Sequence, residues 1–396
     1  MWRVLMFLLG FGLALVPARA SATPHVPAGD EVIVETLPVS YDPALSALAP
    51  LRQQVQRHPT ELISAVPLVR AYIEAARRNG DPRFLGYAQA TLTAWTEGAT
   101  VPIEIRVLRA TILQSLHQFE PALRELDAVL AVQPNHAQAL LTRATILMVR
   151  GRYPEAQHDC GVMWRSAGLV HSALCLASVA SLTGKSSTAL ALSQRALADA
   201  PPSEVALRLW AYTLMAETAM RAGDVAHADE YYRAAMRVDG TDRYLRAAYC
   251  DFLLDRGQPL QVLALTAELT RDDNLLLRRA LALQALSRST ATGGSGPQQL
   301  ASVVSQLRER HAAALLRADR THMREAARMT LFLLHQPDAA LQLARDNWAV
   351  QKEPADARIL LEAALAAHDA AAQAQIAAWL LSTGLTDVQL AGMLHT

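Results

Sequence analysis

Gly151-Arg152-Tyr153-Pro154-Glu155-Ala156 divides two runs of helically spaced apolar residues, the first of them Ala137 to Val149. Stepping 34 residues back from Ala156 reaches Ala122, and a further 34 reaches Ala88. Forward steps land on Ala189 after 33, Ala228 after 39 and Val262 after 34. Twelve positions before Ala122, Ala156, Ala189, Ala228 and Val262 stand Ala110, Ala144, Ala177, Ala216 and Cys250. Five positions before them stand His117, Gly151, Gly184, Gly223 and Gly257, and twelve after them Pro134, Gly168, Pro201, Gly240 and Asn274.

The residue types explain the spacing. Two antiparallel helices need small side chains where their axes approach, hence the small residues twelve apart. A glycine between them ends the first helix in a left-handed conformation that other residues adopt at a cost. Proline or glycine at the end of a unit stops the second helix. Asp81-Pro82 and Glu120-Pro121 place proline in a helix's first turn, where its missing N–H costs nothing.

The period, the Gly-x-Tyr-x-x-Ala of 151–156 and the junction Pro134-Asn135-His136-Ala137 resemble the tetratricopeptide repeat (TPR) family. The resemblance covers five consecutive units from Ile103 to about Arg271, with a five-residue insertion ahead of the first helix around Trp210 to Met220. It implies an all-α fold, a right-handed superhelical solenoid of antiparallel helix pairs. The chain departs from the family in lacking most of the aromatic residues expected early in first helices, in His117 for glycine and in Val262 for alanine. Outside the five units, Thr60 to Trp95, Asp273 to Leu286 with Gln298 to Arg317, Met323 to His335 with Pro337 to Gln351, and Pro354 to His368 with Ala370 to Leu381 read as further pairs.

Composition agrees. Of 396 residues 52% are apolar but only 5% aromatic, so Ala and Leu supply the hydrophobicity and helices should dominate. With 37 basic and 37 acidic side chains and no long run of either sign, a nucleic-acid partner is not expected. Arg3, the uncharged stretch Val4 to Val16 and Ala18-Arg19-Ala20 read as a secretory signal peptide cut near Ala20, placing the chain in the periplasm or outside the cell. No later segment is a long uninterrupted apolar run, so no membrane span is expected in the mature chain. The expected organisation is a signal peptide at 1–20, an extended or disordered leader at 21–44, one or more N-terminal helical pairs at 45–102, the core array at 103–271, and C-terminal pairs at 272–396 with a flexible loop at 291–297.

Chemistry leaves few traces. No H-E-x-x-H, G-x-S-x-G, G-x-G-x-x-G or paired C-x-x-C motif occurs. Gly184-Lys185-Ser186 imitates the end of a phosphate loop, but Val179 stands where that loop needs glycine. The carboxylates read as scattered over helix surfaces at solvating positions, so neither catalytic residues nor a cofactor is expected. His171 and Cys175, four apart, share one helix face, and Cys160 on the preceding helix could approach them, whereas His158 would point away. A Cys160–Cys175 disulfide in an oxidising compartment, separate buried thiols, and a metal site of Cys160, His171 and Cys175 all remain open. Cys250 holds a close-packing position and should be a buried thiol.

In TPR solenoids the first helices line the concave surface. Carried onto this chain, the resemblance implies a partner groove of Glu104, Val107, Thr111, Gln114, Leu141, Thr145, Met148, His171, Ser178, Trp210, Thr213, Glu217, Arg221, Tyr244 and Asp251. Trp210 and Tyr244 are its candidate aromatic anchors, unless both merely pack between repeats, and Arg221 is its single fixed positive charge. The family's basic, Asn-rich clamp on a peptide carboxylate is not matched. The sequence therefore reads as an exported, non-enzymatic scaffold binding a protein or peptide, with envelope assembly or maturation as its expected setting. The competing readings are a metal-handling protein using the His/Cys cluster at 160–175 and a hydrolase with catalytic groups drawn from distant repeats.

Overall fold

The computed structural model describes residues 46–95, 101–268, 272–289, 296–317 and 319–395. Among them are twenty α-helices and no strand. Helix α1 (Ala49–Arg57) precedes α2 (Leu62–Asn79) with α3 (Arg83–Thr91), α4 (Ile103–Ser115) with α5 (Phe119–Val132), and α6 (Ala137–Val149) with α7 (Tyr153–Val162). There follow α8 (Trp164–Leu182) with α9 (Ser186–Asp199), α10 (Val205–Arg221) with α11 (Val225–Val238), and α12 (Arg243–Asp255) with α13 (Pro259–Leu265). The C-terminal pairs are α14 (Asp273–Ser289) with α15 (Gly296–Leu316), α16 (Met323–Phe332) with α17 (Pro337–Val350), and α18 (Pro354–Ala366) with α19 (Ala370–Thr383), before a last helix α20 (Val388–Leu394). The chain divides into the units Met1–Ala47 and Leu48–Thr396, and all twenty helices belong to the second. The expected signal peptide at 1–20 and leader at 21–44 lie outside the described residues.

Six of the pairs close through the same turn. At His117, Gly151, Gly184, Gly223, Gly257 and His368 the backbone is left-handed, with φ between 55 and 82. The next residue's N–H reaches back five positions, as from Arg152 to the Leu147 carbonyl at 2.8 Å and from Asp369 to the Ala364 carbonyl at 2.8 Å. This six-to-one bond takes up a carbonyl that the helix end would otherwise leave without a partner. Glycine enters that conformation freely; histidine does so at a cost of about 1 kcal/mol. Pairs then pack on small residues: Ala110, Ala122, Ala144, Ala156, Ala177, Ala216 and Ala228 are all fully buried, as are Cys250 and Val262. First helices also pack on the first helices of adjoining pairs, so the core runs along the array instead of gathering at one centre.

Several boundaries differ from the sequence reading. The five-residue insertion is absorbed mainly as helix: α10 has 17 residues where α6 has 13. Gly168 does not stop α7, which already ends at Val162; with φ 79 and ψ 174 it breaks α8 internally. Helix α13 spans only 7 residues, and α20 carried no period long enough to be read. Of the loop expected at 291–297, Gly296 and Pro297 begin α15, and the rest lies outside the described residues.

The carboxylates do not all solvate helix surfaces, contrary to expectation. Asp159, Asp272 and Asp356 are buried. Each sits against an arginine: Arg143 grips both oxygens of Asp159 at 2.7 and 2.8 Å, Arg243 pairs with Asp272, and Arg324 lies 3.5 Å from Asp356. Buried carboxylates need such partners, because an isolated charge there is far more costly than a bonded one.

Candidate functional site

The first-helix positions do not form one uniform groove. Glu104 on α4 is exposed; Thr111, Gln114, Leu141, Thr145, His171 and Ser178 are half-buried; Val107, Met148 and Thr213 are buried. Thr111, Thr145 and Ser178 spend their hydroxyls on carbonyls one turn back, at 2.9, 2.9 and 3.0 Å. Trp210 is half-buried and packs against the apolar clusters on either side of α8, in the inter-repeat role. Tyr244 projects, with 61% of its surface exposed.

Charge along this face is mostly committed. Arg221 is not the free cation that the sequence suggests: it is 7% exposed and donates to the Ser181 hydroxyl, which also bonds Thr218 at 2.7 Å. Its Nε finds no partner, and neither does the buried hydroxyl of Tyr153. Glu217 on α10 accepts the Tyr244 hydroxyl of α12 at 2.6 Å, and that carboxylate raises the phenol well above its usual range although the ring stays exposed. Asp251 on α12 accepts from Arg278 on α14 at 2.7 Å and from Arg328 on α16 at 2.8 Å. Against the burial that would raise it, these two guanidiniums hold the Asp251 carboxyl below the ordinary carboxylate range. Three consecutive first helices are thereby tied by one carboxylate.

Sequence reasoning missed the C-terminal share of this face. Arg278, Arg324, Glu325, Arg328, Glu353 and Asp356 belong to pairs beyond residue 271, where the 34-residue register is no longer traceable. Glu325 lies beside Arg324 and Arg278, which hold its carboxyl low against the opposing effect of burial. Asp356 caps α18 by accepting the Glu353 N–H at 2.8 Å, and it accepts from Asn347 at 2.8 Å. Burial pushes its carboxyl up to about 6, with Arg324 acting in the other direction. Opposite walls sense one another: burial first, then Arg324 and His322, draws the His117 imidazole down to about 4. Burial likewise raises the Tyr153 phenol, with the Glu353 carboxylate adding to the effect.

Cys160 and Cys175 are joined in a disulfide linking α7 to α8, with Cα atoms 5.3 Å apart. Both are fully buried. The Nδ1 of His171 lies 2.9 Å from the Ala167 carbonyl, and His158 is exposed on α7. With both sulfurs bonded to each other, neither is a thiolate that could hold a metal. No group of three His, Cys, Asp or Glu side chains suited to a metal occurs among the described residues. Cys250 is a buried free thiol, pushed up to about 12 by burial.

Across the other face, an open groove of about 490 Å³ between α5 and α7 is lined by Arg124, Asp127, Arg143, Arg152, Glu155 and His158 among others. Its charges answer one another, as in Arg152 with Glu155 at 2.6 Å and Arg143 with Asp127 at 2.7 Å.

No protein-family profile matches the chain. No curated protein matches it either. Solved structures similar to it include a tetratricopeptide repeat protein from Parabacteroides merdae, 18% identical over 66% of this chain and 91% of that one, with a TM-score of 0.42. Others are the APC/C hetero-tetramer Cut9–Hcn1, 13% identical over 81% of this chain and 52% of that one at a TM-score of 0.40, and yeast Tom70, 14% identical over 86% and 61% at 0.37. The spacing, the left-handed turns and the stacked antiparallel pairs make the chain an all-α array of repeated helix pairs, the architecture that the tetratricopeptide resemblance implies.

Proposed function

We propose that the chain is an exported, non-enzymatic scaffold that holds a protein or peptide partner against its first-helix face, in assembly or maturation of the cell envelope. The observation that carries this reading is Tyr244. It is a large ring left mostly in solvent on a face whose other large side chains and most of whose charges are packed or paired, and it is oriented by its bond to Glu217. Rigid aromatic side chains of this kind dominate binding energetics when a partner covers them. Catalysis finds no comparable support, because the perturbed carboxylates belong to arginine pairs or helix caps instead of converging on an enclosed pocket. Export is supported by the charge and apolar pattern of residues 3–20 and suits the disulfide.

The test is capture from an envelope extract by the chain beginning at Ser21. The intact form should enrich one or a few polypeptides, and Tyr244→Ala should lose roughly tenfold or more of that enrichment, as for an anchor worth at least about 1.4 kcal/mol. Enrichment of no polypeptide at low and moderate salt would contradict the scaffold reading. Equal enrichment by the Tyr244→Ala form would remove Tyr244 as the anchor.

A further inference from the structure

Residues between Ala349 and Gln389 reach back across the array to contact turns that precede them by 103 to 203 positions. Lys352 donates its backbone N–H to the Val149 carbonyl at 2.7 Å, while Arg150 donates to the carbonyls of Ala349 and Val350 at 3.0 and 2.7 Å. Gly184 lies so close to Gly384 that a Cβ there would overlap the Gly384 carbonyl, and Val388 lies beside Gly223. Asp255 accepts from Arg358 through both carboxylate oxygens at 2.7 Å each, and from Gln389 at 3.0 Å. In order, these contacts fall on the C-terminal ends of α6, α8, α10 and α12, four successive first helices.

The character of the contact matters as much as its extent. Two helix ends satisfy each other's carbonyls, and a single bidentate pair adds the charge-assisted component. The buried members of the C-terminal apolar core, Ala327 to Leu390, come from the C-terminal pairs alone. Val350 is the C-terminal residue that packs on the core of α4 to α8. A joint of hydrogen bonds and close backbone approach can separate without laying open a large apolar surface, which places it at the low-stability end of the molecule.

We propose that the joint between residues 349–389 and the ends of α6, α8, α10 and α12 is a displaceable lid contact, the C-terminal pairs swinging away as one body with their apolar core intact, and that a polypeptide partner gains the first-helix interior when the lid undocks. The gating half rests on the scaffold reading; the docking half stands without it.

Cysteines at exposed positions Lys185 and Ser382, which flank the Gly184 and Gly384 approach, report the docking in the full chain. The native thiols do not interfere, since Cys160 and Cys175 are bonded and Cys250 is buried. Spin labels at 185 and 382 should give a single short distance. Asp255→Arg, which opposes Arg358 with like charge, should shift most of the population to longer and broader distances, and Asp255→Arg with Arg358→Glu should bring the short distance back. If Asp255→Arg exposes Cys250 to thiol reagents and so reports global unfolding, Arg358→Gln decides alone, and it should populate the long distances at least tenfold more than the parent. A short distance unchanged in the folded variants overturns the lid. For gating, a short bis-maleimide joining 185 to 382 should cut capture of polypeptides from the envelope extract at least tenfold relative to the unjoined chain; equal capture overturns gating. Capture of nothing by either form would count against the scaffold reading and leave the distance result to judge the lid.

Discussion

The N–H of Lys352 and the carbonyl of Val149, 203 residues apart in sequence, meet in a hydrogen bond of 2.7 Å. Val149 is the last residue of α6 and Lys352 follows the end of α17, so the bond joins two helix C-termini whose carbonyls have no partner within their own helices. Arg150 returns the favour from the other side, placing a cation at the negative end of α17. The curl of the array is thus held by specific polar contacts in addition to the stacking of neighbouring pairs.

Glycine substitutions at two equivalent turns separate local backbone conformation from that long-range contact. Gly184 and Gly257 are both left-handed, at φ 71 and 65, but only Gly184 faces another backbone; nothing lies near a Cβ at Gly257. Gly257→Ala should therefore cost about 1 kcal/mol, the conformational penalty alone. Gly184→Ala should cost at least about twice that or undock residue 384. Thermal or urea unfolding of the two variants measures the difference.

Removing the disulfide should weaken a specific joint. Cys160 and Cys175 are 15 residues apart, and opening a loop of that size costs about 3 kcal/mol in the chain-entropy account. Cys160→Ala with Cys175→Ala should lower the unfolding midpoint accordingly. Thiol titration of the denatured, unreduced chain should find one group, Cys250, and three after reduction; three before reduction would refute the bridge.

His117 gives a pH dependence of stated sign. Its folded value of about 4 lies below the ordinary imidazole value of 6.5, so the unfolded chain binds the proton more readily between those limits. Its contribution is complete above pH 6.5 and is lost as pH falls toward 4. At pH 5 that loss is about 2 kcal/mol. Asp356, raised to about 6, acts oppositely: the folded chain holds that proton more tightly below pH 6 and offsets part of the loss. His117→Gly deletes the histidine's share and relieves its left-handed backbone. Its melting temperature should fall a few degrees less than the parent's between pH 7 and pH 5, as scanning calorimetry at the two pH values would record.

Asp251 tests the tie between first helices. Asp251→Ala leaves Arg278, 6% exposed, and Arg328 facing each other without the carboxylate between them. Loss of one partner from such a cluster should destabilise the chain by roughly 3 kcal/mol, and Asp251→Ala with Arg328→Leu should recover part of it. Chemical denaturation of the single and double variants gives the comparison.

Helix pairs were legible because one 34-residue rule determines both the close-approach alanines and the turns; each contact it describes is local. His117 was noticed as a substitute for glycine, whereas His335 and His368, left-handed at φ 56 and 55, were not, because no traceable register extended past residue 271. The curl itself was not legible. It accumulates from small rotations at each interface, so nothing near Val149 announces Lys352. For the same reason Arg221 read as a free groove charge: its neighbour Ser181 lies one repeat away and 40 positions back in the chain. Cys160 and Cys175 could be brought near each other from spacing alone, but spacing does not distinguish a bond from two thiols.

A photoreactive phenylalanine analogue replacing Tyr244 is the most direct probe of the scaffold claim, with the same analogue replacing Arg124 or Glu155 on the opposite face for comparison. Irradiation in cells should attach a discrete polypeptide at position 244 and little or none at 124 and 155. Attachment at the opposite face alone, or equal attachment at all three positions, would contradict a partner held on the first helices.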